Sequence, residues 1–334
     1  MLLALGAAAG SAAAQQRYTL RSDRVAVYNL AGEVRVAAGS GSAVEVEVTR
    51  GGADAGRLRI EQGSSGGVEA LRVITPGNRV VYPRMGRFSN TSFQVREDGT
   101  FGRGRRVTIS GRGSGVEAYA DLLVRVPAGR TVSLHQGVGK VEVSNVNGNL
   151  RVNTSSASVA AVGTRGSLGV DVGSGSVHVE RAQGDVDIDT GSGSVRVAQV
   201  SGRSLRVDTG SGSVSGSGIT ADVFSVDVGS GGVELSGVRA GELRVDTGSG
   251  AVDVGLAAPA RLVEIDTGSG GVRLAVPSSF GAELDIETGS GGIRVEVPAQ
   301  AVRASRSQYR GRIGDGRARV EIDTGSGGVR IVRS

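Results

Sequence analysis

From residue 131 onward, apolar and polar positions alternate with a period of two, and glycines interrupt the alternation at regular intervals. Leu205, Val207 and Thr209 fall on one side of an extended segment, with Arg206 and Asp208 on the other. Gly210-Ser211-Gly212 then breaks the segment and Val214 opens the next. Such alternation predicts half-buried strands, and glycines supply the backbone conformations that tight turns need. The whole unit, apolar-x-apolar-Asp-Thr-Gly-Ser-Gly-x-Val, is a repeat. Its acidic position is Asp171, Asp189, Asp208, Asp227, Asp246, Asp266, Glu287 and Asp323, and degenerate copies place His135 and Asn153 there. From His135 the successive spacings are 18, 18, 18, 19, 19, 19, 20, 21 and 36 residues. The last is twice 18, which predicts that one coil near Ser305 has lost its signature or been replaced by an excursion.

A period of 18–21 residues fits one coil of a β-solenoid, in which equivalent positions stack about 4.8 Å apart. The predicted fold class is therefore all-β: a single-chain parallel β-helix, right-handed because parallel crossovers overwhelmingly are. Its ten recognisable coils would form a rod on the order of 50 Å long. One coil alone cannot offset the entropy of ordering its residues, so the copies must stack and the ends must be covered. A left-handed hexapeptide helix would need an aliphatic residue every six, which Leu205, Val207 and Val214 do not provide. Calcium-binding nonapeptide rolls place Asp after the glycines rather than before them.

Residues 15–130 are strand-like, as in Val44-Glu45-Val46-Glu47-Val48 and Leu122-Leu123-Val124-Arg125-Val126, but off-period. They are expected to form an irregular N-terminal cap on the solenoid of residues 131–334. A faint echo of the repeat appears at Asn29-Leu30-Ala31-Gly32-Glu33-Val34-Arg35-Val36. Residues 1–14 are apolar and end Ala12-Ala13-Ala14, which reads as a signal-peptide segment. The expected location is extracytoplasmic: periplasm, cell surface or secreted.

Composition narrows the classes. The 334 residues include 57 Gly but only 6 Pro and no G-X-Y period, which excludes collagen. With 38% apolar residues the chain can bury a core, and the scarcity of aromatics predicts a thin one of Val, Leu, Ile and Ala. The absence of Cys removes disulfides, thiolate metal sites and Cys nucleophiles.

Charge is unevenly spread. Residues 76–118 hold eight Arg against three acids, together with Tyr82, Phe88, Phe93 and Phe101, and residues 303–319 hold six Arg against one acid, with Tyr309. Each segment carries +5, equal to the formal charge of the whole chain. The plain expectation for both is a solvated excursion that keeps the protein soluble. The sharper one is a polyanion-binding surface at Arg103, Arg105, Arg106, Arg306, Arg310 and Arg312. Lys140 is the only Lys, so the basicity is guanidinium, which suits bidentate carboxylate or phosphate contacts. The partners expected are an acidic polysaccharide, lipopolysaccharide or another envelope component, with no specific nucleic acid.

Asp189-Thr190-Gly191-Ser192 matches the string of a pepsin-like protease, but five D-T-G copies on a coil period would stack along one edge rather than pair in a cleft. Stacked carboxylates repel. The expectation is that Asp171, Asp189, Asp208, Asp227, Asp246, Asp266, Glu287 and Asp323 each cap their own Gly-Ser-Gly turn, with Arg206, Arg244 and Arg273 screening the row. The alternative is a divalent-cation ladder along Asp189, Asp208, Asp227, Asp246 and Asp266. His135 and His178 lack motif partners and are expected to face solvent. No P-loop is present, and no cofactor is expected.

The repeated D-T-G-S-G-x-V unit, preceded by Arg125-Val126-Pro127-Ala128-Gly129 and a degenerate coil at Gly137-Val138-Gly139-Lys140-Val141-Glu142-Val143, resembles the bacterial putative-adhesin family of β-strand-repeat proteins. The resemblance spans roughly 120–334 and implies a β-helix at the cell envelope, in a domain of unknown function. It supplies no catalytic residues, and the insert at 76–118 is not part of its pattern. The expected function is a non-enzymatic, adhesin-like binding or scaffold module, possible ligands being acidic glycans. The alternatives are a polysaccharide-processing β-helix enzyme and a purely structural spacer.

Overall fold

The computed structural model describes residues 15–334, so the signal-like segment 1–14 lies outside the described residues. The described chain is all-β apart from a single 3-10 turn at Ala55–Arg57, and its repeat forms a solenoid-like stack. Strand Thr131–Ser144 pairs in parallel with Asn149–Val162, and His135 stands opposite Asn153. The same register carries Asn153 to Asp171, Asp189, Asp208, Asp227, Asp246 and Asp266, one per layer. Leu205, Val207, Thr209 and Val214 are buried, whereas Arg206 is exposed and Asp208 half-buried. The two-residue alternation therefore reports the inner and outer sides directly.

The glycines are required by the approach of one layer to the next. Gly212 adopts φ +140°, and a Cβ there would lie 2.2 Å from the Gly193 carbonyl oxygen. Gly210 has no unusual φ, yet its Cβ would still lie 2.7 Å from the carbonyl oxygen of Gly191. A second corner stacks left-handed residues instead: Asn145, Arg181 and Gln199 all have φ 53°, and Gly218 and Gly237 continue the column.

The N-terminal echo is a full layer. Arg24–Ala38 pairs in parallel with Thr131–Ser144, with Tyr28 opposite His135 and Gly32 opposite Gly139. Its outer edge is shared by Val68–Ile74 and Tyr119–Val126, both parallel. Antiparallel strands then close this end: Arg59–Ser65 on the first, and Val44–Gly51 followed by Gln15–Leu20 on the second.

Residues 76–118 are not a solvated excursion. Arg79–Val81, Arg105–Ser110 and Asn90–Val95 form a separate three-stranded sheet. Val80, Tyr82, Val95, Val107 and Ile109 pack from it onto Leu30, Ala31 and Val138. Those three occupy the turn where other layers carry exposed Gly and Ser, so their apolar character marks the covered surface.

Near Ser305 the coil is replaced by an excursion rather than degenerate in sequence. Ala299–Ala304 and Gln308–Ile313 form an antiparallel hairpin laid against Ala282–Thr288. Ala318–Thr324 inserts between Leu262–Ser269 and Ala282–Thr288, pairing in parallel with both. Val329–Arg333 likewise lies between Val272–Val276 and Ile293–Val295. The spatial order of the row is thus Asp266, Asp323, Glu287. Residues 263–273 and 320–330 share one sequence, VEIDTGSGGVR, so either segment presents the same side chains to either slot.

Removing residues 318–334 would leave two parallel strand edges facing an unfilled layer. The truncated protein should melt at a lower temperature and associate with rising concentration, read by calorimetry and light scattering. A monomer with the full-length melting temperature would show that the inserted layer adds nothing.

Candidate functional site

The acid row runs along the outside of the stack, beginning at Tyr28 and His135 and ending at Glu287. Its carboxylates accept no turn amide among the described residues, contrary to expectation; in the last two layers the inward hydroxyl of the next residue does. Asp171 and Asp227, by contrast, are followed by Val172 and Val228, and the Thr190 and Thr209 hydroxyls find no partner. Thr288 Oγ1 accepts from the Gly291 amide at 3.0 Å, and Thr324 Oγ1 from Gly327 at 2.9 Å. Thr247 and Thr324 donate to the Gly231 and Gly270 carbonyls of the neighbouring layer, both at 3.2 Å. These threonines are buried. Their place on the side of Leu205 and Val207 was the available signal, since a turn cap can also come from inside.

The acids have other partners. Arg206 donates to Asp208 at 3.2 Å, but Arg244 pairs with Glu242 and Glu264, and Arg273 with Asp253. Only the first of these three arginines therefore bonds the row. Burial, followed by repulsion from Asp208, Asp171 and Asp187, holds the Asp189 carboxyl above its ordinary value. Burial, with Asp208 and Asp246, does the same to Asp227. Near the inserted layer, Glu264, Asp266, Asp285, Glu287, Glu321 and Asp323 line a shallow depression of about 270 Å³. Among the described residues, no three His, Asp or Glu side chains, including the proposed ladder of Asp189, Asp208, Asp227, Asp246 and Asp266, are grouped to hold a metal ion.

The six arginines singled out from sequence divide evenly. Arg105 is tied into the fold, donating to the Thr75 carbonyl at 2.7 Å and Asn78 Oδ1 at 3.0 Å, and also to the Gly77 carbonyl. Arg310 pairs with Asp285 at 3.0 Å and Arg312 with Glu283 at 2.6 Å. Arg103, Arg106 and Arg306 are exposed, and none of them has a carboxylate partner among the described residues. The structure does not bring the two basic segments together. The insert packs on the first layers, and the hairpin lies on the last.

Sequence reasoning missed the aromatic setting of His135, which does not face solvent freely. Its ring stacks on Tyr28 at 4.3 Å and 5°. Phe101 meets Tyr28 and His135 edge-on at 6.1 and 6.5 Å. Burial, with the Arg151 guanidinium adding to it, pushes the His135 pKa down to about 4. The pairing of Tyr28 with His135 follows from the echo at Asn29–Val36 once that echo is read as a layer. His178 stays partly exposed, 3.4 Å from Glu180. On the insert, Phe88 is 80% exposed, with the guanidinium groups of Arg112 and Arg87 at 4.8 and 5.7 Å from its ring centre.

Comparison with known proteins adds a family. Residues 104–332, more than half of the chain, match the family model described as Toastrack DUF4097, in line with the resemblance carried by the repeat. A solved structure described as a "putative cell adhesion protein" from Clostridium sporogenes ATCC 15579 aligns over 96% of this chain and 99% of its own, at 10% identity and a TM-score of 0.26. No curated protein matches the chain.

Two pH-linked outcomes follow from this geometry. A carboxylate with a raised folded pKa destabilises the fold at neutral pH and is relieved as pH falls through that value. Asp208→Asn, placed between Asp189 and Asp227, should therefore stabilise the protein at pH 7 by roughly 0.2–1 kcal/mol. The gain should vanish in acid, where the wild-type row is neutral; a loss at pH 7 in denaturant titrations would mean that the Arg206 pair outweighs the repulsion. His135 has the opposite sense, because its folded pKa of about 4 lies below the unfolded 6.5. Stability contributed by its neutral form is intact above 6.5 and falls as pH drops toward 4, by up to about 3 kcal/mol. His135→Asn should flatten that part of the stability–pH curve, and an unchanged slope would assign the acid lability elsewhere.

Proposed function

The chain belongs to the Toastrack DUF4097 family, a domain of unknown function, and from that premise we propose that it is an exported, adhesin-like module of the cell envelope. In this reading it binds or scaffolds without catalysis, and its ligand is an acidic glycan or lipopolysaccharide. The location proposed is extracytoplasmic, supported by the apolar run at 1–14. No helix among the described residues is long and apolar enough to cross a membrane. We also read the stack as a right-handed parallel β-helix with coils of 18–21 residues, supported by parallel pairing at offsets of 18 and 19 in its central layers.

The observation that carries the binding reading is the placement of charge. Repeated layers largely neutralise themselves, as in Arg203 with Asp185 and Arg273 with Asp253. The insert instead keeps exposed guanidinium groups at Arg103 and Arg106 that have no carboxylate partner among the described residues. A field of one sign raises the local concentration of oppositely charged polymers and speeds their capture. The six-carboxylate depression around Asp266, Asp323 and Glu287 is what would favour a polysaccharide-processing enzyme instead. An assay for new reducing ends or unsaturated sugar products decides between the two.

The protein should bind acidic polysaccharide or lipopolysaccharide at low salt. Affinity should fall steeply as ionic strength rises through about 0.15 M, where the screening length is about 8 Å. Biolayer interferometry across a salt series checks this. Indifference to every such polymer at low salt would leave the arginines as solubilising surface and favour a spacer.

A further inference from the structure

We infer that the outward face of the insert sheet, with Phe88 at its end, is a binding site for a polysaccharide bearing sugar carboxylates. The inference rests on the acidic-glycan reading above and narrows it to one face and one polymer class.

The sheet has two unlike sides. Val80, Val107 and Ile109 point into the small core over Leu30, Ala31 and Val138. The register places Asn90 beside Ser110, Ser92 beside Thr108, and Gln94 beside Arg106 on the other side, with Arg79 flanking Thr108. Ser92 and Thr108 are already linked through their hydroxyls at 2.9 Å. Apart from the buried Val81 beside Ser110, the strand residues of this face offer neutral hydroxyl and amide groups in rows, crossed by guanidinium groups, and include no carboxylate. Nothing in the packing of the stack calls for such a surface, since the inner side alone covers Leu30 and Val138.

The charge on and around it is uncompensated. Arg79, Arg87, Arg103, Arg106 and Arg112 are exposed. Among the described residues none of the five pairs with an acid, whereas the neighbouring Arg84 reaches both Glu33 and Asp121. Arg105 is held by backbone carbonyls, so its loss would disturb the fold rather than report on binding. The register places Arg79 and Arg106 on this face, and Arg87 and Arg112 flank Phe88. These cations beside neutral hydrogen-bonding groups match a polymer that presents hydroxyls and a regularly placed anion. Planar guanidinium matches carboxylate in a two-bond geometry.

Phe88 supplies the orienting contact. It is the one aromatic side chain in the exposed class among the described residues, and leaving a ring 80% exposed is unfavourable unless something covers it. Arg87 and Arg112 stand over the ring at 5.7 and 4.8 Å. The apolar face of a pyranose lying on Phe88 would bring its carboxylate toward these two groups. A single platform of this kind suits one sugar ring. Single-stranded nucleic acid is bound by successive aromatics that stack base after base, and this face has no such series.

The test uses the full chain at low salt with four probes: polygalacturonate, alginate, neutral dextran and single-stranded DNA. The two polyuronates should bind, and dextran and DNA should bind at least about tenfold more weakly. Phe88→Ala and the double change Arg106→Gln with Arg112→Gln should each weaken polyuronate binding about tenfold, with melting temperature unchanged. Arg306→Gln, on the far hairpin, should leave it intact. If Arg306→Gln abolishes binding while Phe88→Ala does not, the site assignment is overturned and the broader reading stands. DNA binding as tight as polyuronate and equally dependent on Phe88 would overturn the choice of polymer. Failure of the wild type to bind any polyanion would remove both readings together.

Discussion

Parallel stacking in register puts each side chain over its own counterpart in the next layer, about 4.8 Å away, and this constraint sorts every residue of the repeat. Inside, valine over valine and threonine over threonine pack well, so the same short vocabulary serves layer after layer. At the turn the backbones themselves come together, and Gly210 and Gly212 leave the space that the carbonyls of Gly191 and Gly193 occupy. Outside, the same rule works against the fold. Asp208 meets Asp189 and Asp227, and burial together with this repulsion holds the neighbours' carboxyls partly against ionisation.

What could be read from the sequence follows from that rule. The two-residue alternation and the spacing of the acids are both direct products of stacking, so the strand faces and the register of 131–276 were legible. The role of the acid was not, because Asp and Thr adjoin in the motif and either oxygen could reach a turn amide; only the direction of the side chain assigns the bond to Thr288 and Thr324 in the two layers that make it. The order of the last layers was illegible for a different reason. With VEIDTGSGGVR at both 263–273 and 320–330, local sequence carries no information about which segment neighbours which. The insert was legible as charge but not as structure. Leu30, Ala31 and Val138, apolar at a turn that is elsewhere Gly and Ser, were the trace of its footprint.

A repeat that offers one chemistry many times has difficulty making a unique site, and the features that single out a location lie where the repeat is interrupted. The unpaired guanidinium groups and the exposed ring belong to the insert. The family match begins at residue 104, so two of the three insert strands, Arg79–Val81 and Asn90–Val95, lie outside the matched residues. The matched part holds the layers from Thr131–Ser144 onward, while Phe88, Arg79 and Arg87 of the candidate recognition surface lie outside it and Arg106 and Arg112 inside.

The inserted layer bears on how such a stack can be built in time. A plain solenoid can grow as it emerges, each new coil adding to a finished edge. Here the layer following 262–276 is filled by residues 318–333, 57 positions later in the chain. A chain delivered N-terminus first, by a ribosome or through a translocation pore, must therefore hold a waiting gap, or form 282–295 and its hairpin first and then open a way in. Assembly of the layers from His135 to Asp266 can be vectorial; completion of the far end cannot.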